Sequence, residues 1–318
     1  MNEKPLLTVH GLSAGYGAGR MIADVSFTLG PGEILCLVGE SGCGKSTVLK
    51  SVMGTTPGLE ILSGEIVLNG QDLLALPRRE RQRLCCDTFG MVFQSPGASF
   101  NPIRSYRKQF TETLKSHGKY DRETFDDRVS EAFGKLGLSD VQRLLACCPY
   151  EMSGGMNQRL ALALALLLGQ DILLADEPTS ALDATIQRQV AEELRRLRDV
   201  SGMAQIIVTH NLALARFLAD RIGVMYAGRL VELGTPDQVL GDPRHPYSRA
   251  LIAAIPTLRG DMPRGLDGQP PLSGPADAGC EFCDRCPLRG DGCDKRPYAL
   301  LDAGGGHRTA CDRRGGAV

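Results

Sequence analysis

The sequence has almost no net charge, no long apolar run and no tryptophan. Its 36 basic and 37 acidic residues give a formal net charge of -1, which argues against a nucleic-acid-binding protein that relies on an overall basic field. The longest apolar run, LALALALLLG at 160–169, has about half the length that a membrane-spanning helix needs. The first residues lack a basic segment followed by an apolar core, so we predict no signal peptide. Any membrane role is therefore expected to come through partners.

The 318 residues, 42% of them hydrophobic and 23% charged, predict a globular protein of roughly two domains. Five of the eleven cysteines lie between residues 280 and 311. Without export the cysteines face a reducing cytosol, where disulfides are rare. Ligation of a metal or cofactor is therefore favoured over disulfide formation.

The pattern of apolar segments predicts an α/β fold. Short apolar strands are predicted in EILCLVGE, DILLADEP, AQIIVTH and RIGVMYAGRLVELG, with helical segments between the last three. Strands that alternate with helices predict a mostly parallel sheet, and the helical block at about 95–165 reads as an inserted subdomain. Residues 259–318 begin with an irregular segment rich in Gly and Pro and end in the cysteines, which predicts a small irregular extension.

A glycine-rich segment follows the strand in EILCLVGE and fits the pattern G-x-x-x-x-G-K-[ST]. Glycines let backbone N–H groups surround phosphates at a helix N-terminus, Lys45 is expected to reach the β- and γ-phosphates, and Ser46 to bind Mg²⁺. The alternative is a glycine-rich turn with an exposed lysine. The residues predicted to contact the phosphates of ATP are Gly39, Glu40, Ser41, Gly42, Cys43, Gly44, Lys45, Ser46 and Thr47.

Two acidic residues end the strand in DILLADEP. Asp176 at a strand tip can hold the Mg²⁺ shell, and Glu177 can polarise a water for attack on the γ-phosphate. Alone, the pair could be a solvated turn or a helix cap, but the phosphate loop favours the catalytic interpretation.

A second candidate anion site lies in YEMSGGMNQR at 150–159. Ser153, Gly154 and Gly155 precede a long predicted helix, whose N-terminus attracts anions. A second phosphate-binding element is useful if it contacts a nucleotide held by another subunit.

These elements together resemble the ATP-binding cassette (ABC) ATPases, whose signature loop faces the partner's ATP in a head-to-tail dimer. The resemblance covers residues 6 to about 240 and implies a P-loop NTPase fold with an inserted helical subdomain. It implies adenine stacking on Tyr16, a Mg²⁺ ligand and catalytic role for Gln94, a nucleotide contact from Asp183 and a catalytic His210, beside Glu177 as base. Met152 and Met156 depart from the common LSGGQ form at its ends, while the small residues between them are kept.

Two further segments resemble the dipeptide, oligopeptide and nickel importer branch of that family, namely QSPGASFNPIRSYRKQFTETL and HPYSRALIAAIP. The second could also be an ordinary helix start with proline in the first turn. The branch implies an ATPase domain at 1–258, an oligopeptide-transporter-type extension at 259–318, and a peripheral position on the cytoplasmic face of the bacterial inner membrane. Implied partners are two permeases, a second ABC ATPase (identical or not) and an extracytoplasmic substrate-binding protein; no nucleic acid is expected.

The branch also gives an expectation for the cysteines. Many of its ATPases end in C-x5-C-P-x5-C followed by a further cysteine, a pattern matched by Cys280, Cys286, Cys293 and Cys311. Soft thiolate ligands suit an iron–sulfur cluster or Zn²⁺. The wide spacings favour a [4Fe–4S] cluster, whereas Cys283 creates C-x2-C pairs that keep zinc open; free thiols are the third alternative. The six earlier cysteines are interpreted as core or incidental residues.

The expected function is therefore ATP hydrolysis that energises import of dipeptides or oligopeptides. Nickel or metallophore import is an alternative within transport. A soluble cassette ATPase of carbon–phosphorus bond cleavage machinery is an alternative outside transport. A P-loop kinase or GTPase is disfavoured because MSGGM is present and no separate acceptor-binding motif is found.

Overall fold

The structure is a computed structural model that describes residues 4–93, 99–179, 184–255, 268–269, 271 and 274–313. The chain divides into two compact units. The first unit comprises Met1–Gly30, Ile34–Leu76 and Thr209–Val318, and the second comprises Pro31–Glu33 and Pro77–Val208.

The regular elements follow in chain order. The strands are β1 Leu7–Tyr16, β2 Gly19–Leu29, β3 Ile34–Val38, β4 Leu59–Leu68, β5 Gln71–Asp72, β6 Phe89–Val92, β7 Ile172–Asp176, β8 Ala204–Val208, β9 Arg221–Tyr226, β10 Arg229–Gly234, β11 Leu301–Gly304 and β12 His307–Thr309. The helices are α1 Lys45–Met53, α2 Arg78–Thr88, α3 Tyr106–Ser116, α4 Phe125–Lys135, α5 Val141–Ala146, α6 Gly154–Leu168, α7 Ala184–Ser201, α8 Leu212–Leu218 and α9 Pro246–Ala253.

The first unit contains an antiparallel sheet in the order β2-β1-β4-β5 and a second strand series β11-β12-β10-β9-β3. In the second series β3 pairs with β9 in parallel, and the pairs β9–β10, β10–β12 and β11–β12 are antiparallel. All five residues of β3 are buried, as its continuous apolar sequence predicts. This β3 strand ends where the phosphate loop begins.

The second unit has a parallel series β6-β7-β8 and most of the helices. The buried residues of β7 continue directly into Asp176. The helical subdomain has its own apolar core, in which the rings of Phe100, Tyr106, Phe110 and Phe133 pack edge-on or stacked at centroid distances of 5.0–6.4 Å. This core fixes the positions of the helices that lie beside the start of α6.

The α/β fold is confirmed, but the expectation of a mostly parallel sheet holds only in part. The first unit is dominated by antiparallel pairs, because adjacent strands such as β1 and β2 are joined by two residues, which permits a hairpin but no parallel crossover. The extension supplies β11 and β12, which the sequence analysis does not predict. These strands add to β10, so this part of the extension is an edge of the first unit's sheet.

Among the described residues we find no helix with the length and apolarity that a bilayer crossing requires. All eleven cysteines lie in the described part of the chain, and none of them forms a disulfide.

Candidate functional site

The phosphate loop between β3 and α1 depends on glycine at two close approaches. Gly39 has φ 149° and Gly44 has φ 98°. A Cβ at Gly39 would lie 2.2 Å from the Met225 carbonyl oxygen, and one at Gly44 would lie 2.7 Å from the Ile22 Cγ2 atom. Because L side chains rarely adopt these backbone conformations and would clash there, the loop can be built only with glycine at these points.

The Lys45 side chain is buried against the backbone of the phosphate loop. Its Nζ donates to the carbonyl oxygens of Gly39 at 2.9 Å and Glu40 at 2.8 Å, and its exposed fraction is only 5%. Lys45 is also the first residue of α1, whose N-terminal N–H groups carry positive potential. An ammonium and a helix N-terminus on one glycine loop suit the phosphates of a nucleotide, so the residues present fit ATP.

Two more predicted residues lie in the first unit. Tyr16 ends β1 at the tip of the β1–β2 hairpin and is 39% exposed, as a stacking platform requires. The Thr209 N–H donates to the Leu37 carbonyl at 3.1 Å, so the exposed His210 follows at the carboxyl end of β3, where the phosphate loop also begins.

In the second unit, the signature loop (residues 153–158) starts α6 as predicted. Ser153 is the N-cap, and its side-chain oxygen accepts from the Met156 N–H at 3.3 Å. Ser153 and Gly154 are exposed, and among the described residues a Cβ at Gly155 would meet only Ile186 Cγ2, at 3.8 Å. A capped helix N-terminus with small exposed residues can therefore receive an anion from outside the chain.

Buried polar contacts hold the signature loop from beneath. Asn157 is 7% exposed; its Oδ1 accepts from the Tyr106 hydroxyl, and its Nδ2 donates to the Pro149 carbonyl at 3.2 Å. Arg159 pairs with Glu193, and burial raises the pKa of Glu193 against the lowering effect of that arginine. Sequence reasoning missed these contacts because nothing in the motif marks Asn157.

The acidic pair lies at the end of β7. Asp176 is opposite Val208 in the β7–β8 register, and the Glu177 N–H donates to the Val208 carbonyl at 2.9 Å. Glu177 has φ 47°, a left-handed conformation that is uncommon for a non-glycine residue and concentrates at functional sites. Both carboxylates are half-buried. The remaining predicted residues, Gln94 and Asp183, lie outside the described residues.

The extension gathers its cysteines around one cavity. The Cys280 N–H donates to the Cys293 carbonyl at 2.7 Å, which joins the two ends of the segment. The same cavity contains His245, the N-cap of α9. The cysteines that line it are Cys280, Cys283, Cys286, Cys293 and Cys311.

Burial raises the pKa of the Cys280 thiol to about 11, and burial also raises the pKa values of Cys286 and Cys311. Backbone hydrogen bonds with Phe282, Leu288 and Arg313, each two residues downstream of its thiol, act in the opposite direction. Each charged sulfur also raises the pKa of the neighbouring thiols. These cysteines can therefore all be thiolates only if a positively charged centre binds them.

His245 adds an unused donor to the cavity wall. Its Nδ1 accepts from the Tyr247 N–H at 3.1 Å, which places the ring proton on Nε2. Among the described residues this buried Nε2 has no hydrogen-bond partner. A buried N–H beside sulfur-lined space fits an acceptor such as a cluster or thiolate sulfur.

No group of three or more Cys, His, Asp or Glu in the described residues has the close geometry of ligands that share one metal ion. Thiolates that bind separate corners of a cluster lie further apart than ligands of a single ion. The five thiols that line the cavity are soft donors of the kind that hold iron–sulfur clusters.

Comparison with known proteins identifies the family of this chain. Residues 22–180 match the ABC transporter family, and residues 231–293 match the oligopeptide/dipeptide transporter C-terminal region. The chain is 36% identical to a putative peptide import ATP-binding protein of Brucella ovis over 98% of each chain. It is also 36% identical to a dipeptide transport ATP-binding protein of Bacillus subtilis, over 88% of this chain and 84% of that protein.

Solved structures share the fold. A dimeric ATP-binding cassette in a post-hydrolysis state with ADP and phosphate is 26% identical, with a TM-score of 0.62, covering 72% of this chain and 98% of that one. A Clostridium perfringens protein that is part of an ABC transporter complex has a TM-score of 0.67 at 24% identity, covering 76% of this chain and 92% of that one.

Proposed function

This chain belongs to the ABC transporter family and hydrolyses ATP, and we propose that it is the ATPase subunit of a bacterial peptide importer. The observation that carries the cargo class is the match of residues 231–293 to the oligopeptide/dipeptide transporter C-terminal region. The near full-length similarity to peptide import and dipeptide transport ATP-binding proteins supports it. Nickel import and carbon–phosphorus cleavage find no such support.

Each predicted nucleotide residue has a proposed role. The phosphate loop with Lys45 binds the phosphates, and Tyr16 supports the adenine. Ser46, Asp176 and Gln94 are each assigned as a ligand of Mg²⁺. Mg²⁺, when bound, neutralises charge that develops on the phosphates.

The Glu177 carboxylate accepts the proton of the attacking water. His210 stabilises the γ-phosphate, and Asp183 contacts the nucleotide. The left-handed backbone at Glu177 supports its assignment, because such strain is retained where it serves a site.

The signature loop is proposed to contact ATP held by a second ABC ATPase, which makes hydrolysis depend on a dimer. The exposure of Ser153 and Gly154 supports this role. Two permeases, together with a substrate-binding protein outside the membrane, complete the proposed complex, which would hold this subunit at the cytoplasmic face. We retain 1–258 as the ATPase domain, with its helical subdomain at about 95–165, and 259–318 as the extension.

For the cysteines we propose a [4Fe–4S] cluster held by Cys280, Cys286, Cys293 and Cys311. The shared cavity, the backbone donors at the sulfurs and the unused His245 Nε2–H support it. Anaerobically purified protein should be brown, with about four irons per chain. A colourless protein with one zinc per chain that requires Cys283 would replace the cluster with zinc.

Purification from membranes tests the transport function directly. Affinity-tagged chain should bring two permeases with it, and ATP hydrolysis by that complex in liposomes should rise when peptide-loaded binding protein is added. Stimulation by nickel but not by peptide would change the cargo. Co-purification with soluble enzymes instead of permeases would overturn the transport function.

A further inference from the structure

Glu40 of the phosphate loop is held by two side chains from the C-terminal part of the first unit. The Arg285 guanidinium forms a bidentate ion pair with the Glu40 carboxylate, with Nη1–Oε2 at 2.9 Å and Nη2–Oε1 at 3.1 Å. The Glu40 N–H donates to the Tyr247 hydroxyl at 3.0 Å. Since the Glu40 carbonyl accepts from Lys45, the side chain and both backbone polar groups of this residue are engaged.

A buried aromatic cluster fixes both of these side chains. Tyr226, Tyr247 and Phe282 are each at most 1% exposed, and their ring centroids lie 4.5–5.4 Å apart. The Arg285 guanidinium carbon lies 5.7 Å from the Tyr226 ring and 5.9 Å from the Phe282 ring. Its side chain is only 5% exposed, against 25% for Glu40. The pair is therefore shielded from solvent and has a set geometry, unlike an ordinary surface ion pair.

The position of Arg285 depends on the cysteine segment. It ends the short 3-10 turn Cys283–Arg285, and its N–H donates to the Phe282 carbonyl at 3.0 Å. The next residue is Cys286, whose N–H donates to the Cys283 carbonyl at 3.3 Å. Both of these cysteines line the sulfur cavity, so the turn that presents Arg285 is part of the cavity wall.

The charge of Glu40 explains why this contact matters for a nucleotide. A carboxylate in a phosphate-binding loop repels the phosphates unless a cation neutralises it, and a half-buried charge is costly when its partner is removed. Arg285 supplies that cation from outside the phosphate motif.

We propose that Arg285, with Tyr247, is a positioning residue for ATP, which holds and neutralises Glu40 and thereby makes nucleotide binding depend on an ordered cysteine segment. This rests on the proposed function, in which residues 39–46 bind ATP. It assigns a shared purpose to HPY at 245–247 and to the cysteine segment, since the two converge on one loop residue.

ATP affinity in the full chain tests the proposal, measured at equilibrium with MgATP in the Glu177→Gln background. Arg285→Met should weaken binding on the order of tenfold, the size expected for coupled charged neighbours. Arg285→Lys should recover part of the lost affinity, because lysine keeps the positive charge but cannot form the bidentate contact. Arg289→Met is the matched control, since Arg289 pairs with Asp284 in the same segment on the exposed surface.

The double variant Glu40→Gln with Arg285→Met separates positioning from general damage. If the loss comes from an uncompensated carboxylate, removing that carboxylate should restore most of the affinity. Equal affinity in Arg285→Met and Arg289→Met, or no recovery in the double variant, would overturn the proposal. Lys45→Met distinguishes failure of the proposed ATP site from failure of the Arg285 proposal. Unchanged ATP affinity in Lys45→Met would contradict the ATP site itself. Loss of affinity in Lys45→Met together with unchanged affinity in Arg285→Met would contradict only the role of Arg285.

Hydrogen exchange tests whether the phosphate loop depends on the cysteine segment, and it requires no measurement of ATP binding or hydrolysis. Cys286→Ser and Arg285→Met should both speed amide exchange in residues 39–46, whereas Cys86→Ser, at an exposed cysteine of the second unit, should not. Unchanged exchange in Cys286→Ser would contradict the link.

Discussion

The phosphate loop and the signature loop are both small-residue segments at helix N-termini, but their surroundings differ. In the phosphate loop Lys45 is 5% exposed, and Glu40 is engaged by groups of the same unit. In the signature loop Ser153 and Gly154 are exposed, and the support comes from beneath, through Asn157. This difference supports the proposal that the phosphate loop binds a nucleotide of its own chain and that the signature loop contacts a nucleotide of another chain.

Removing the proposed catalytic base, Glu177, should have the largest effect and should separate binding from hydrolysis. Glu177→Gln is expected to lower hydrolysis by roughly 10²- to 10⁴-fold while ATP affinity stays within about twofold, because only the proton acceptor is lost. Steady-state phosphate release and equilibrium ATP binding measure the two properties. Glu131→Gln is the control, at an exposed helical glutamate that pairs with Lys135. Parental hydrolysis in Glu177→Gln would show that another group is the base.

Gly154→Asp sharpens the contrast between the loops. A carboxylate at this exposed position should repel the partner's γ-phosphate and lower hydrolysis by roughly 100-fold, comparable to the loss of a positioned electrostatic contact in an active site. Binding of ATP to the monomer through Lys45 should be unchanged. Gly134→Asp is the matched control, since a Cβ there meets no atom of the described residues within 4 Å. Loss of monomer binding in Gly154→Asp would mean that the signature loop belongs to the chain's own site.

The glycine loop and the capped helix start could be predicted from the sequence because their backbone geometry requires specific residues at short spacings. Gly39 and Gly44 are needed for backbone geometry, Lys45 for charge and Ser153 for a helix cap, and the structure has each in the expected type of element. The cassette fold and the ATPase activity are confirmed for the same reason.

The contacts between distant segments could not be predicted. Arg285 and Glu40 are separated by 245 positions, and neither local spacing nor periodicity reports such a pair. The strands β11 and β12 were missed because a short edge strand lacks a strong apolar alternation. Tyr247 lay within a recognised motif, but its hydroxyl contact with the phosphate loop depends on tertiary packing.

Cysteine substitution tests whether the extension supports one loop selectively. Replacing Cys280, Cys286, Cys293 or Cys311 singly with serine should lower iron content and reduce the melting temperature by roughly 5 °C. Amide exchange should rise in residues 39–46 and stay constant in 153–158, because the extension packs within the first unit. Cys283→Ser should retain iron. Full iron content in all four single variants would refute the assigned ligands.

Protonation of His245, which lies in the first unit, should cause part of the loss of stability in acid. This effect should be smaller than those described above. Burial lowers its pKa to about 4, whereas an unfolded histidine titrates at about 6.5. Between these values the unfolded chain binds the extra proton, so stability is full above about pH 6.5 and falls as the pH drops to about 4, by about 3 kcal/mol.

Urea unfolding at several pH values measures this slope. His245→Asn should flatten it, since an asparagine carbonyl can still cap α9 but does not titrate. Equal slopes in the parent and the variant would remove His245 from the explanation.

Mixed dimers test most directly whether the signature loop serves another chain's nucleotide. Lys45→Met and Gly154→Asp chains carrying different tags would be co-expressed, and ATPase activity would be measured on dimers isolated through both tags. Each variant alone should be inactive. In a head-to-tail dimer one site combines the intact phosphate loop of one chain with the intact signature loop of the other, so the mixed dimer should recover substantial hydrolysis. Mixed dimers as inactive as either parent variant would contradict the account, because both loops would then act within one chain.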